Sequence, residues 1–256
     1  MCVQALGQML KIITNPVKKY FVLDLFCNKD MDKLYNKLKK YSLESVVELE
    51  KTDRQFLALQ KLYISKKFDD GNYLFLTIAN ALVCYQLSGK GEDYWEEFVN
   101  SVRDLKINSF DDIEEFFVLF LPESKNNKRL VNIKLKRIKK LCNFYNRDIN
   151  WKHYYQNMDI LAQDLSSVMN QKITDKTIVF AVKMFGYAGR NIFGYVEYYP
   201  DILLLPIDSR LRKLFEIYGS GEQNIEEYYR NLSKQLNISP LHLDSLLWVN
   251  YDKLVK

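Results

Sequence analysis

Lys176 heads the run Asp175-Lys176-Thr177-Ile178-Val179-Phe180, an apolar helical stretch, and Asp208 closes the next long loop in Pro206-Ile207-Asp208-Ser209-Arg210. A primary amine is a nucleophile once it has lost its proton, and a fixed carboxylate stabilises positive charge that develops on a sugar ring. Together they form a minimal set for amine-based nucleophilic chemistry. The amine must titrate below the ordinary lysine value of about 10.4. Lys183, on roughly the same helix face, offers repulsion to that end, and the positive potential of a helix N-terminus adds to it. By position alone, a solvated first-turn lysine is the commoner reading of Lys176. Asp208 reads equally well as the cap of the following helix, and a capping carboxylate at a cleft edge can serve both purposes.

Other residue types narrow the chemistry. The only histidines are His153 and His242, and the four cysteines (Cys2, Cys27, Cys84, Cys142) lie far apart with no C-x-x-C pair. A histidine-built metal centre, a charge-relay triad and a zinc or iron–sulfur site are therefore not expected, and a reducing compartment is. Trp95 and Trp248 sit at helix edges and could sandwich a planar base, although tryptophans at helical spacing are more often core. Trp151 reads as packing. Residues 125–140 carry eight Lys or Arg in sixteen positions. That pattern is usually a solvated helix face; as a phosphate-contacting surface, its part nearest the preceding loop, Lys125–Arg129, is the better candidate.

Long helices must position these groups. The chain has 256 residues, 48% of them hydrophobic, with only 9 Gly and 5 Pro, too few breakers for a turn-rich sandwich and enough apolar residues for one large or two modest cores. The fold class expected is all-α. Helical spacing runs from Lys29 to Tyr41, Ser42 and Asp53 cap the next two helices, and Asn72–Leu87 reads as a buried central helix. Ser88-Gly89-Lys90-Gly91 ends that helix and an amphipathic one follows from Glu92. Ser109 caps a helix ending near Pro122, and Leu130, Ile133, Leu135, Ile138 and Leu141 give the basic run an apolar face. Asn157–Met169, a polar turn over Asn170–Asp175, and Lys176–Tyr187 form a helical hairpin. Gly189–Pro206 reads as a long aromatic connection, followed by helices at Asp208–Tyr218, Asn224–Leu236 and Ser239–Val249. The net charge of +5 permits an anionic partner without requiring one. No apolar stretch is long enough to span a membrane, and the N-terminus does not read as a signal peptide.

Four fragments occur in the order seen in one family. They are Gly89-Lys90-Gly91-Glu92-Asp93-Tyr94-Trp95, Asp175 through Lys183, Pro206-Ile207-Asp208-Ser209-Arg210, and Pro240-Leu241-His242-Leu243-Asp244-Ser245-Leu246-Leu247-Trp248. On these motifs the chain closely resembles, from about Lys29 to Val249, the archaeal GO glycosylases. These are 8-oxoguanine DNA glycosylase/lyases of the helix-hairpin-helix superfamily.

The resemblance implies a two-lobed all-α fold with the base pocket between lobes. A central barrel at 72–175 would pack against a lobe made of 29–71 and 176–256, with the hairpin at about 157–188 and residues 1–28 as an N-terminal extension without counterpart. It implies Lys176 as catalytic lysine and Asp208 as catalytic aspartate. Gln55 would hydrogen-bond the flipped base, and Trp95, Trp248, Ile78, Gly89, Phe180, Pro206 and Asp244 would line its pocket. The turn at 170–175 departs from the superfamily's glycine-rich hairpin, so Lys172 or Thr174, together with Lys128 and Arg129, are the candidates for phosphate contact. The implied partner is DNA containing 8-oxoguanine, handled by an intracellular, cytoplasmic monomer without metal or organic cofactor. A noncatalytic helical DNA-binding module and a protein-interaction domain are the competing readings.

Overall fold

The computed structural model describes residues 31–65, 67–145, 149–220 and 223–256. Residues 1–28, expected as an extension, lie outside them. Fourteen helices and no strands occur among the described residues: α1 Met31–Leu38, α2 Leu43–Glu50, α3 Arg54–Ile64, α4 Asp70–Val83, α5 Gly91–Val102, α6 Phe110–Glu123, α7 Val131–Phe144, α8 Trp151–Gln156, α9 Met158–Met169, α10 Lys176–Phe193, α11 Ser209–Tyr218, α12 Ile225–Leu236, α13 Pro240–Val249 and α14 Tyr251–Leu254. The caps follow the sequence. Ser42 Oγ accepts from Ser45 N, Asp53 Oδ1 from Gln55 N and Ser109 Oγ from Asp112 N, each satisfying an amide with no partner inside its own helix.

Two buried apolar clusters result. The larger gathers side chains from α3 to α10, and the smaller is built from α1, α2 and α11–α14 with Leu205. The apolar faces of α3 and α10, assigned by sequence to the lobe of 29–71 and 176–256, pack into the larger cluster, where α10 meets α4 most extensively.

Three elements differ from expectation. The central helix α4 stops at Val83 rather than Leu87, because Asn127 Nδ2 and the Tyr85 amide both bond the Val83 carbonyl and Gln86 turns left-handed at φ 44°. Helix α10 continues past Tyr187 to Phe193 instead of ending there. Its Gly189 is a packing notch: a Cβ would lie 2.4 Å from the Tyr155 ring, so glycine marks close approach here and not a helix end. At α7, its N-cap Leu130 and Ile133 in its first turn are exposed while Lys134 is fully buried, so the burial stripe is rotated from the expected apolar face.

Candidate active site

A cleft of about 380 Å³ opens between elements of the two clusters, a size suited to a small planar group. Its wall combines Gln55 from α3, the turn Cys84–Leu87, Gly89–Glu92 at the start of α5, and Lys176, Phe180 and Lys183 from α10. Pro206, Asp208, Ser209 and Arg210 then enter from the loop before α11, with Asp244 and Trp248 from α13. Residues distant in sequence thus converge on one space.

Helix α10 is the spine of the site. Lys176, Phe180, Lys183, Tyr187 and Arg190 recur at three- and four-residue steps and so share one face. Lys176 is exposed at the N-terminal end, where Asp175 makes no side-chain cap and instead accepts from Lys172 N. Deeper in, Lys183 Nζ meets Asp244 Oδ2 at 2.6 Å, with only 2% of the lysine side chain exposed. Burial works against the Lys183 ammonium, but Asp244 and Asp53 outweigh it and hold its pKa above the ordinary lysine value. Burial raises the Asp244 and Asp53 carboxyls, with Lys183 opposing in both cases. Lys183, read from the sequence as able to supply repulsion to Lys176, is paired with a carboxylate.

The stripe continues inward. Tyr187 Oη donates to Asp53 Oδ2 at 3.2 Å and lies 3.1 Å from Ser245 Oγ. Arg190 Nη1 pairs with Glu50 Oε2 at 2.6 Å, and the other Glu50 oxygen meets His242 Nδ1 at 2.8 Å. Burial pushes the Glu50 carboxyl up, yet the His242 contact and the Arg190 charge bring it below its ordinary value. This network fastens α10 to α2 and α13, so Lys176, Asp244 and Trp248 share one rigid frame. Sequence reasoning missed Glu50, Tyr187, Arg190 and His242 as a supporting network. For Tyr187 and Arg190 the available signal was polar residues at helical spacing inside an otherwise apolar α10.

Asp208 is the N-cap of α11, its Oδ1 accepting from Leu211 N at 2.9 Å. Oδ2 has no protein hydrogen bond among the described residues, leaving one carboxylate oxygen for chemistry. Arg210 lies over Trp248, its guanidinium carbon 3.7 Å from the ring centre, and reaches Glu92 Oε1 at 3.1 Å. One face of the Trp248 indole is therefore taken. Gln55 is almost fully buried at the start of α3 and faces Gly91. At Gly89 a side chain is excluded: a Cβ would stand 1.9 Å from Asn126 Oδ1, and the Ser88 and Gly89 amides both donate to the Asn126 carbonyl.

Two expected lining residues are placed elsewhere. Ile78 and Trp95 are fully buried and contribute nothing to the cleft wall. Trp95 stands one layer behind, in an edge-to-face contact with Phe180 at 6.3 Å and with its indole N–H toward Cys84, without an oxygen or nitrogen acceptor. It lies on the inward face of α5, so a pair of tryptophans facing each other across the cleft is not formed. Lys172, Thr174, Lys128 and Arg129 are exposed outside the cleft. No cluster of three or more His, Cys, Asp or Glu suited to a metal occurs among the described residues, and none of their helices is long and apolar enough to cross a membrane.

The family model for AGOG N-glycosylase/DNA lyases matches residues 35–255. N-glycosylase/DNA lyases from Methanopyrus kandleri and Thermococcus kodakarensis are 38% and 40% identical, covering 83% and 85% of this chain and 86% and 82% of theirs. The crystal structure of the 8-oxoguanine DNA glycosylase Pa-AGOG from Pyrobaculum aerophilum, complexed with 8-oxoguanosine, superposes with a TM-score of 0.76 at 24% identity over 88% of each chain. This chain belongs to the AGOG family of N-glycosylase/DNA lyases.

Proposed function

We propose that the cleft excises 8-oxoguanine from DNA and then nicks the strand through a covalent bond to Lys176. The observation that carries this is the convergence of Lys176, Asp208, Gln55, Phe180 and Trp248, from three separate helices and a loop, on one nucleobase-sized space. Family membership and the 8-oxoguanosine complex of the Pyrobaculum aerophilum protein support it.

A glycosidic bond inside a duplex is out of reach, so the nucleotide rotates out of the stack at a cost of a few kcal/mol. Phe180 and the free face of Trp248 offer stacking surfaces, and Gln55 offers amide hydrogen bonds to the base edge. The Lys176 amine adds to the anomeric carbon as the bond to the base nitrogen breaks, and the departing base takes a proton. Asp208 Oδ2 stabilises the positive charge on the sugar during that exchange. Ring opening gives an iminium between Lys176 and the former anomeric carbon. Loss of a proton from the neighbouring carbon then expels the 3′ phosphate. The scheme uses no metal or organic cofactor, and one copy of the chain supplies every group, consistent with a monomer acting inside the cell.

Sodium borohydride reduces such an iminium to a stable amine. Incubated with a duplex containing 8-oxoguanine, the protein should become covalently attached to DNA, and Lys176→Gln should yield no adduct. An adduct that persists in Lys176→Gln would reassign the nucleophile. No adduct with the unaltered protein would return the reading to a noncatalytic DNA-binding module.

A further inference from the structure

At the rim of the cleft, α7 holds two cations that no carboxylate neutralises among the described residues. Lys134 is fully buried; its Nζ donates to Asn127 Oδ1 and lies 5.0 Å from the centre of the Tyr85 ring. Arg137 approaches the same ring, its guanidinium carbon 5.5 Å from the centre. Arg137 Nη2 donates to Gln171 Oε1 at 2.8 Å and to Thr177 Oγ1 at 3.1 Å, and Thr177 Oγ1 donates to Gln171 Oε1 at 3.0 Å. Every one of these partners is neutral.

The contrast with the other shielded cations is informative. Lys183, Arg190 and Arg210 each meet a carboxylate, as partly desolvated charges ordinarily do. Arg137 is half-buried, its Nε is buried without a partner, and burial lowers its pKa and brings that of Lys134 to about 8. Two cations beside one ring that no carboxylate among the described residues balances make a locally positive site whose natural complement is an anion from outside. Its place is defined by the tether. Thr177 follows Lys176 directly, Gln171 belongs to the hairpin turn, and Tyr85 lines the cleft. An anion held there would lie beside the nucleophile.

We infer that Arg137, braced by Gln171 and Thr177 and backed by Lys134 and Tyr85, binds one backbone phosphodiester next to the extruded nucleotide. This rests on the DNA reading above. A phosphodiester fits because it carries its charge at every working pH, and Nη1 is the guanidinium nitrogen that is neither spent on Gln171 and Thr177 nor buried. The turn at 170–175 has no glycine to bring its amides close to a phosphate, and a guanidinium fixed across that turn meets the same need. Lys128, Arg129 and Lys172, exposed and untethered, would add diffuse, salt-sensitive attraction instead.

The test compares one phosphate with one side chain. Binding would be measured against salt concentration, using duplexes whose lesion nucleotide bears a 2′-fluorine to prevent cleavage. Each phosphate flanking the lesion would be replaced in turn by an uncharged methylphosphonate. Arg137→Gln should weaken binding roughly tenfold and reduce the slope of log K against log salt by about one. One methylphosphonate position should weaken the unaltered protein similarly and have almost no further effect on Arg137→Gln. Independent, multiplying losses at every position would reduce Arg137 to an internal brace and overturn the inference. Should Arg137→Gln fail to fold, Arg137→Lys keeps the charge and should retain the salt slope with weaker binding. A uniform response of the unaltered protein to all methylphosphonates would then overturn the inference. The borohydride trap separates the two claims, since a protein that forms the adduct but shows no phosphate-specific coupling keeps its activity and loses only this site.

Discussion

Lys183→Met deletes an ammonium from the floor of the cleft while keeping the length of its stem. The two acids it serves, Asp244 and Asp53, are both buried; burial raises the pKa of each, and the Asp244 charge adds to the rise at Asp53. Removing one partner of a buried pair costs about 3–5 kcal/mol, because the other charge is left desolvated. Asp244 borders the open cleft, so water relieves part of this and the lower end, about 3 kcal/mol at pH 7.5, is expected. For a chain of this size that lowers the melting temperature by roughly 6–12 °C. The pH dependence identifies the cause. Without Lys183 the folded state keeps a carboxyl proton that the unfolded chain releases near pH 4. The variant's stability should therefore fall as pH rises from 5 to 7.5, by up to about 1.4 kcal/mol per unit. In the unaltered protein the lysine's pKa is raised, so its contribution is complete below about 10.4 and is lost only as pH climbs through the folded-state value. Urea unfolding of both proteins at pH 5 and 7.5 measures the difference. A loss below about 1 kcal/mol, or one of the same size at both pH values, would refute the assignment of Lys183 as the neutralising charge.

Asp208→Asn should leave stability within about 0.5 kcal/mol, because asparagine caps helices as well as aspartate does, while single-turnover excision drops by about a hundredfold or more; parallel losses of stability and rate would make Asp208 purely structural. Glu50→Gln should destabilise the fold by about 3–5 kcal/mol by stranding Arg190. Since Glu50 has a lowered pKa, the stability it supplies is present above about pH 4.5 and lost as pH falls through the folded value, so the acid limb of the unaltered protein's stability profile should flatten in the variant. Gln55→Ala should narrow the rate ratio between 8-oxoguanine and guanine opposite the same base, and an unchanged ratio would remove Gln55 from base recognition.

Local physics made much of this protein legible in its sequence. Helix content, the caps at Ser42, Asp53 and Ser109, and the hairpin around Asn170–Asp175 all follow from periodicity and from side chains that satisfy nearby amides. The motifs around Lys176, Asp208 and Trp248 marked the family, and the fold places those residues on one cleft. What depends on three-dimensional neighbours was not readable. Gly189 looked like a helix end until Tyr155 came to rest on it, and Lys183 read only as a source of repulsion for Lys176 until α13 brought Asp244 to it across 61 positions of chain. Trp95 looked like a pocket wall, but the rotation of α5 turned it inward behind Phe180. Lys134 looked like surface, yet Asn127 and Tyr85 draw it into the interior. Short-range preferences select elements and their ends; which side chains become buried, paired or exposed to a ligand is decided by the packing of helices whose partners lie far away in the chain.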